Sequence, residues 1–168
     1  MAQNQIIPVK QALVAAWSAI LPNIESTGTP VGCDYSWPGA KQRSEHIWFY
    51  GARTEVTDLA IKAGRRWREM VTSLDVVIEV NRKGKQVDQN AVVVLQPVVD
   101  ERCDYLLGLL DEWVADNPTL GFGPGTTSDN SFAITGALID GHDFEHGPIE
   151  NGCAARNIAR LTYYARVK

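Results

Sequence analysis

The sequence is poor in cysteine, and its three cysteines, Cys33, Cys103 and Cys153, are widely spaced. An odd and scattered set of cysteines excludes the disulfide framework of a small secreted domain. The N-terminal residues lack a positively charged region followed by an apolar region, so we expect no secretory signal. We therefore expect a reduced intracellular chain in which the cysteines act as small hydrophobic residues.

Long hydrophobic runs are also missing. No apolar segment approaches the roughly 20 residues of a membrane-spanning helix, so we expect no membrane association. Apolar residues make up 45% of the chain and charged residues 21%, proportions typical of a folded globular protein. A length of 168 residues predicts a single domain, 1–168, with a substantial core.

Basic residues are nearly absent from the segment 86–150, which has twelve acidic residues and one base, Arg102. The segment 41–85 has ten basic and six acidic residues, and the last sixteen residues have four bases and no acid. Two interpretations remain open. The chain presents an acidic and a basic surface that pair head-to-tail between subunits, or its surface is an ordinary mixture of solvated charges.

Motifs of catalysis are scarce. The segment GFGPG lacks the Lys-Ser/Thr of a phosphate-binding loop, and no nucleophile signature surrounds Cys33 and His46. His142 and His146 would suit zinc on a helix, but the neighbouring glycines and Pro148 favour a loop, and no third ligand is evident. We therefore expect no enzyme, metal or cofactor, and keep a small metal-dependent enzyme using these two histidines as an alternative.

The strongest pattern that is present predicts an amphipathic helix between Pro97 and Asn117. Its apolar residues recur at three- and four-residue spacing: Val99, Cys103, Leu106, Leu110 and Trp113. We expect Pro97 in the first turn, with Asp100 and Glu101 near the positive end of the helix dipole. Asn117-Pro118 ends the helix, and Gly108 indicates a close approach by another backbone. We interpret Ala91–Leu95 as an extra helical turn rather than an extended entry.

Periodicity elsewhere predicts one more helix and five strands. The helix covers residues 8–21, the strands cover 31–37, 45–51, 68–80, 131–139 and 154–167, and the intervening segments 53–63, 81–90 and 140–151 are loops or turns, with a short helical turn as an alternative for 53–63. The order is α–β–β–β–α–β–β. It predicts an α+β fold with an antiparallel or mixed sheet of four to five strands covered by two helices. The apolar stripe of the second helix should pack on the sheet face bearing Leu74, Val76 and Ile78.

A basic aromatic cluster, Arg65-Arg66-Trp67-Arg68, begins the third strand. It could contact nucleic acid through phosphates and stacking. We favour a subunit contact, because tryptophan and arginine are the residue types most often found as interface anchors. The arginine-bearing face of the last strand, with Arg156 and Arg160, is the second candidate surface.

The central helix followed by Ala115-Asp116-Asn117-Pro118-Thr119-Leu120-Gly121 resembles a segment of tail-terminator proteins of long-tailed (siphovirus-type) bacteriophages. The order of helices and strands along nearly the whole chain is also similar, down to the final alternating ARLTYYARV stretch. Two positions depart from the family's pattern. Asn117 stands where an aspartate is expected, and Phe122 stands where a second glycine is expected.

The resemblance implies a structural protein that forms a ring, usually a hexamer, on the head-proximal end of the tail tube. Such a ring stops tube polymerisation and offers the surface that joins the head–tail connector, or stopper, protein. Genomic DNA passes through the lumen without sequence-specific binding, and the acidic segment 86–150 fits an acidic lumen. The implied location is the tail or neck of the virion, after assembly in the host cytoplasm. The residues expected at interfaces are Arg65, Arg66, Trp67, Arg68, Arg156, Arg160 and Phe122.

The nearest rival is another neck protein, such as a stopper or adaptor. It would share the size, the ring and the absence of chemistry. The long central helix argues against a stopper rich in β-barrel structure.

Overall fold

The computed structural model describes residues 5–25, 27–62, 65–83, 89–126 and 131–167, without the side chains of 57–67 and 89–92. The helices are α1 (Ile6–Ile20) and α2 (Gln89–Asp116), and the strands are β1 (Gly32–Asp34), β2 (Glu45–Lys62), β3 (Arg65–Lys83), β4 (Phe132–Ile149) and β5 (Gly152–Val167). The strands form one sheet in the order β1-β2-β3-β5-β4. Only the β1–β2 pairing is parallel. The predicted α+β class, with a mixed sheet and two helices, is confirmed.

The core lies between the two helices and one face of the sheet. Leu106 and Leu110 of α2 are fully buried in one cluster with three residues of β3: Leu74, Val76 and Ile78. This is the contact that the sequence pattern predicted. Trp113 is partly buried and meets Trp17 of α1 edge to face at 6.3 Å. Neither described helix is long and apolar enough to cross a membrane.

Helix α2 begins earlier than expected. It starts at Gln89, so Ala91–Leu95 is helical as predicted, but Pro97 lies inside the helix and the expectation of a first-turn proline is wrong. No acidic residue lies in the first turn, so Asp100 and Glu101 do not have the predicted position either. Pro97 is exposed, and tolerating it there costs the helix one backbone hydrogen bond.

The end of α2 is where the sequence placed it. The helix stops at Asp116, and both the backbone and the side-chain N–H of Asn117 donate to the carbonyl of Trp113, at 3.0 and 2.9 Å. Leu120 and Gly121 then adopt positive φ angles of 49° and 82°. Leu120 is buried, so the Asn-Pro-Thr-Leu-Gly segment is a turn that returns an apolar side chain to the core.

Two segments predicted as loops are strands, and the described ends of a third, 81–90, are also not loop: residues 81–83 continue β3 and residues 89–90 begin α2. The expectation of a loop or helical turn over 53–63 is wrong for residues 53–62, which continue β2 opposite β3, and residue 63 lies outside the described part. The expected turn over 140–151 is also wrong, because β4 continues to Ile149 and only residues 150–151 form the turn. Partner strands supply the backbone hydrogen bonds of these polar segments, so they need no alternating apolar pattern.

A buried network of ion pairs connects α2 to strands β2 and β3. The carboxylate of Glu45 at the start of β2 has no exposed side-chain surface and accepts hydrogen bonds from Arg82 and Arg102. Arg102 also donates to the carbonyl of Asn23, at 3.0 Å. The only base in the acidic segment 86–150 is therefore a structural residue rather than a free surface charge.

Candidate subunit interface

The sheet face opposite the helices presents an aligned row of side chains. Strand register places Asp34, Trp48, Val77, Ile158 and Asp143 side by side across the five strands. Three neighbouring apolar residues are thus flanked by a carboxylate at each end. Opposed side chains on adjacent strands are close enough to form a continuous surface.

An aromatic groove forms over this row. We use this name for the surface of Trp37, Trp48, Tyr50, Val77 and Ile158, which together with Glu145 and Arg156 encloses about 510 Å³. Trp48 and Val77 form a buried floor, each 4% exposed, whereas Trp37 and Tyr50 are 66% and 79% exposed. Large exposed aromatic side chains that border an apolar floor are typical of interaction sites.

The sequence analysis missed this groove. Two features of the sequence indicate it: Trp37 before Pro38-Gly39, and the three consecutive aromatic residues Trp48-Phe49-Tyr50. Successive side chains of a strand point to opposite faces, so such a run places aromatic residues on both faces of the sheet. A register shift between Phe49 and Gly51 disturbs that alternation and leaves Tyr50 in solvent. Groove residues from three strands and a loop come together only in the folded chain.

The arginines of β5 mostly have partners within the chain. Arg156 pairs with Glu79 at 2.6 Å and Arg166 pairs with Glu69 at 2.9 Å, both across the β3–β5 ladder. Arg160 is exposed, lies in a polar groove with Asp75 and Asp140, and has no ion pair within the described ranges. This face is therefore a mixture of charges rather than a purely basic surface.

The cluster Arg65–Arg68 lies where the sheet narrows. The last β3 residue that pairs with β5 is Arg68, opposite Val167. Beyond it, residues 60–62 of β2 and 65–67 of β3 pair with each other, and no other described strand pairs with them. We call this two-stranded extension the β2–β3 arm. Arg68 at its base is exposed, and the side chains of Arg65, Arg66 and Trp67 lie outside the described part of the chain.

Phe122 is placed differently from the other predicted interface residues. Its ring is partly buried and lies 5.2 Å from the ring of Phe132. Its carbonyl accepts a hydrogen bond from the backbone N–H of Ile134, at 2.7 Å. Phe122 thus ties the loop after α2 to the start of β4, and this packing explains a phenylalanine there without an interface.

The outer face of α2 is uniformly acidic. Its exposed charged residues are Glu101, Asp104, Asp111, Glu112 and Asp116, and the one base of the helix, Arg102, is engaged with Glu45. Gly108 lies on the same face. A Cβ atom there would meet no described atom within 4 Å, so the close approach expected from the sequence does not occur within the part of the chain that the structure describes.

The two histidines of the metal alternative lie on β4, not in a loop. They are exposed, and four residues of strand separate their Cα atoms by roughly 13 Å, whereas helical neighbours at this spacing lie about 6 Å apart. His146 Nδ1 instead lies 2.7 Å from Asp100 Oδ2 of α2. Among the described residues, no group of three His, Cys, Asp or Glu side chains is arranged to hold a metal ion.

Cys33 and His46 also lack the features of a nucleophilic pair. Burial raises the pKa of the Cys33 thiol to about 12, so the reactive thiolate is scarce at neutral pH. His46 is 1% exposed and is held between Asp34 and the backbone of Arg43. A Cβ atom at Gly32 would overlap its ring, so the histidine fills space that glycine leaves open.

No family model matches the chain, and no curated protein sequence matches it.

Proposed function

We propose that this chain is a ring-forming tail terminator of a long-tailed bacteriophage, a structural protein of the virion rather than an enzyme. In this role, copies of the chain form a ring of six subunits that caps the head-proximal end of the tail tube. The proposal rests first on the sequence resemblance. Two features of the folded chain support it.

The main structural support is the β2–β3 arm. A two-stranded hairpin is at best marginally stable in water without further packing. Here residues 60–62 and 65–67 lie beyond Val167, the last described residue of β5, and they include Lys62, Arg65, Arg66 and Trp67. A basic hairpin with no third strand among the described residues is suited to contact with a neighbouring subunit or with the tail tube protein.

The second support is the outer face of α2. Five exposed carboxylates on one helix, with no exposed base beside them, repel the phosphates of duplex DNA. A ring through which genomic DNA passes benefits from such a lining, because a lumen that binds phosphates would retain the DNA. We therefore propose that this helical face borders the lumen.

Another neck protein, such as an adaptor between the portal and the tail, is the competing proposal. It would also form a ring around DNA and contact the stopper protein. The two functions differ in what happens to the tail tube, since only a terminator stops its growth.

The direct test is tube assembly with purified proteins. Tail tube protein polymerised in the presence of this chain should give capped tubes that no longer elongate when more tube protein is added. Phage lacking the gene should make abnormally long tails or tails that do not join heads. If gene deletion leaves tail length and head joining unchanged, the terminator proposal is wrong.

A further inference from the structure

The aromatic groove and the β2–β3 arm lie at opposite ends of the same two strands. The groove floor is at Trp48 and Val77, whereas the arm begins beyond Leu59. About fourteen residues of strand from Trp48 to Lys62 span roughly 45 Å. Because the two strands stay paired between these points, with one bulge at Tyr50 and one at Thr57, the arm lies far from the groove of its own chain.

The two surfaces are complementary in charge. Around the groove lie three carboxylates: Asp34, Asp143 and Glu145. All three are exposed. Glu145 and Asp143 form no ion pair within the described ranges, while the nearby Glu79 is already paired with Arg156. The arm and its base contain four bases, Lys62, Arg65, Arg66 and Arg68.

The groove also suits an apolar anchor. It has a buried apolar floor between two exposed aromatic walls, and the sequence of the arm has Trp67 between Arg66 and Arg68. Aromatic and arginine residues in a desolvated pocket contribute most of the binding energy at protein interfaces, and acidic rims improve the rate and register of association.

From these observations we propose that the aromatic groove is the docking site for the β2–β3 arm of a second copy of this chain. This contact is heterologous, because each subunit gives an arm to one neighbour and a groove to the other. Repetition of such a contact closes a ring when its rotation permits. The inference rests on the proposed ring and names the surfaces that build it.

The first test compares three variants by sedimentation velocity. Trp37→Ala with Tyr50→Ala removes the groove walls, and Arg65→Glu with Arg66→Glu and Arg68→Glu reverses the arm. Each should weaken self-association by about tenfold or more. Tyr105→Ala with Tyr164→Ala, which truncates two exposed tyrosines elsewhere, is the matched control and should assemble like the wild type. Thermal melting shows whether each variant is folded.

The second test uses the proposal that each contact joins the arm of one subunit to the groove of another. The groove variant retains an intact arm and the arm variant retains an intact groove. A mixture of the two should therefore form a one-to-one dimer and nothing larger. The charges give a third test: Asp143→Arg and Glu145→Arg, introduced into the arm variant, should restore assembly of a single chain.

Three results would overturn the inference: a wild-type chain that remains monomeric at all concentrations, a folded groove variant that assembles normally, or a mixture that remains monomeric. These results are separate from the proposed function, which tube capping tests. A wild type that assembles through the groove but does not cap tubes refutes the terminator proposal alone. A groove variant that assembles and caps normally refutes only this inference.

Discussion

Leu110 lies at the centre of the contact between α2 and the sheet and has no exposed surface. Leu110→Ala should reduce the free energy of unfolding by about 2–5 kcal/mol, because it removes buried methyl groups and leaves a cavity. Denaturant unfolding measures the change. Leu138→Ala is the matched control, since Leu138 is 43% exposed and should lose far less. Equal effects of the two substitutions would mean that α2 does not form the core.

His46 makes stability depend on pH. Burial lowers its pKa below the ordinary 6.5, although the hydrogen bond and charge of Asp34 oppose this shift. Its Nδ1 accepts the N–H of Arg43, at 2.9 Å, so the neutral ring is the form that fits. The unfolded chain takes up the proton first as pH falls, which favours unfolding.

Stability due to neutral His46 is therefore complete above pH 6.5 and is lost as pH falls from there through the lower folded-state pKa. Unfolding free energies measured over this range should decline more steeply for the wild type than for His46→Gln. The His142→Gln variant, which changes an exposed histidine, is the control. Parallel pH profiles for wild type and His46→Gln would contradict the prediction.

At the scale of secondary structure elements, the extended conformation of β4 argues against a zinc site at His142 and His146. An extended strand separates His142 and His146, and Asp100 already engages His146. We expect the purified protein to bind no stoichiometric zinc after dialysis, as measured by elemental analysis. Zinc that survives dialysis and is lost on His142→Ala or His146→Ala would restore the enzyme alternative.

The β2–β3 arm gives a second prediction at this scale. Reversal of Arg65, Arg66 and Arg68 to glutamate should leave the fold intact but prevent tube capping, because charge reversal adds repulsion to the loss of attraction. Electron microscopy of phage with this variant should show abnormally long tails or tails without heads. Normal, infectious particles would exclude the arm from assembly, though not the terminator role itself.

The sequence predicted those parts of the fold in which burial of apolar side chains determines the pattern of residues. The apolar stripe of α2 and the alternation of β3 and β5 predicted the core, since burial fixes those side chains. The outer parts of β2 and β4 were missed because their sequences do not alternate between apolar and polar residues, and pairing with a partner strand makes them strands. The aromatic groove was not predicted, because its members are distant in sequence and come together only in the folded chain.

For the whole molecule, the acidic outer face of α2 is proposed to keep DNA from adhering to the ring. Asp104→Lys with Asp111→Lys and Glu112→Lys should leave stability and tube capping unchanged, since all three side chains are exposed. The variant should gain binding to duplex DNA that weakens with added salt, as measured by gel shift. Asp143→Lys with Glu145→Lys is not a suitable control, because it changes the groove.

If the variant caps tubes but binds DNA no better than the wild type, the helix does not border the lumen. If it binds DNA and the resulting particles also deliver their DNA more slowly, the helix borders the channel. Neither outcome depends on how the subunits contact one another.

Strand β2 runs from the floor of the aromatic groove into the arm, so in the proposed ring its residue count would set the reach of each subunit. Two residues added to both β2 and β3 would lengthen that reach by roughly 6.6 Å and keep every side chain on its face. A single added residue would move the following side chains of the arm to the opposite face of the sheet. A β-bulge, like those at Tyr50 and Thr57, would prevent this. Over evolution, insertions in this hairpin should therefore be retained mainly in pairs, and the width of such rings should change in steps.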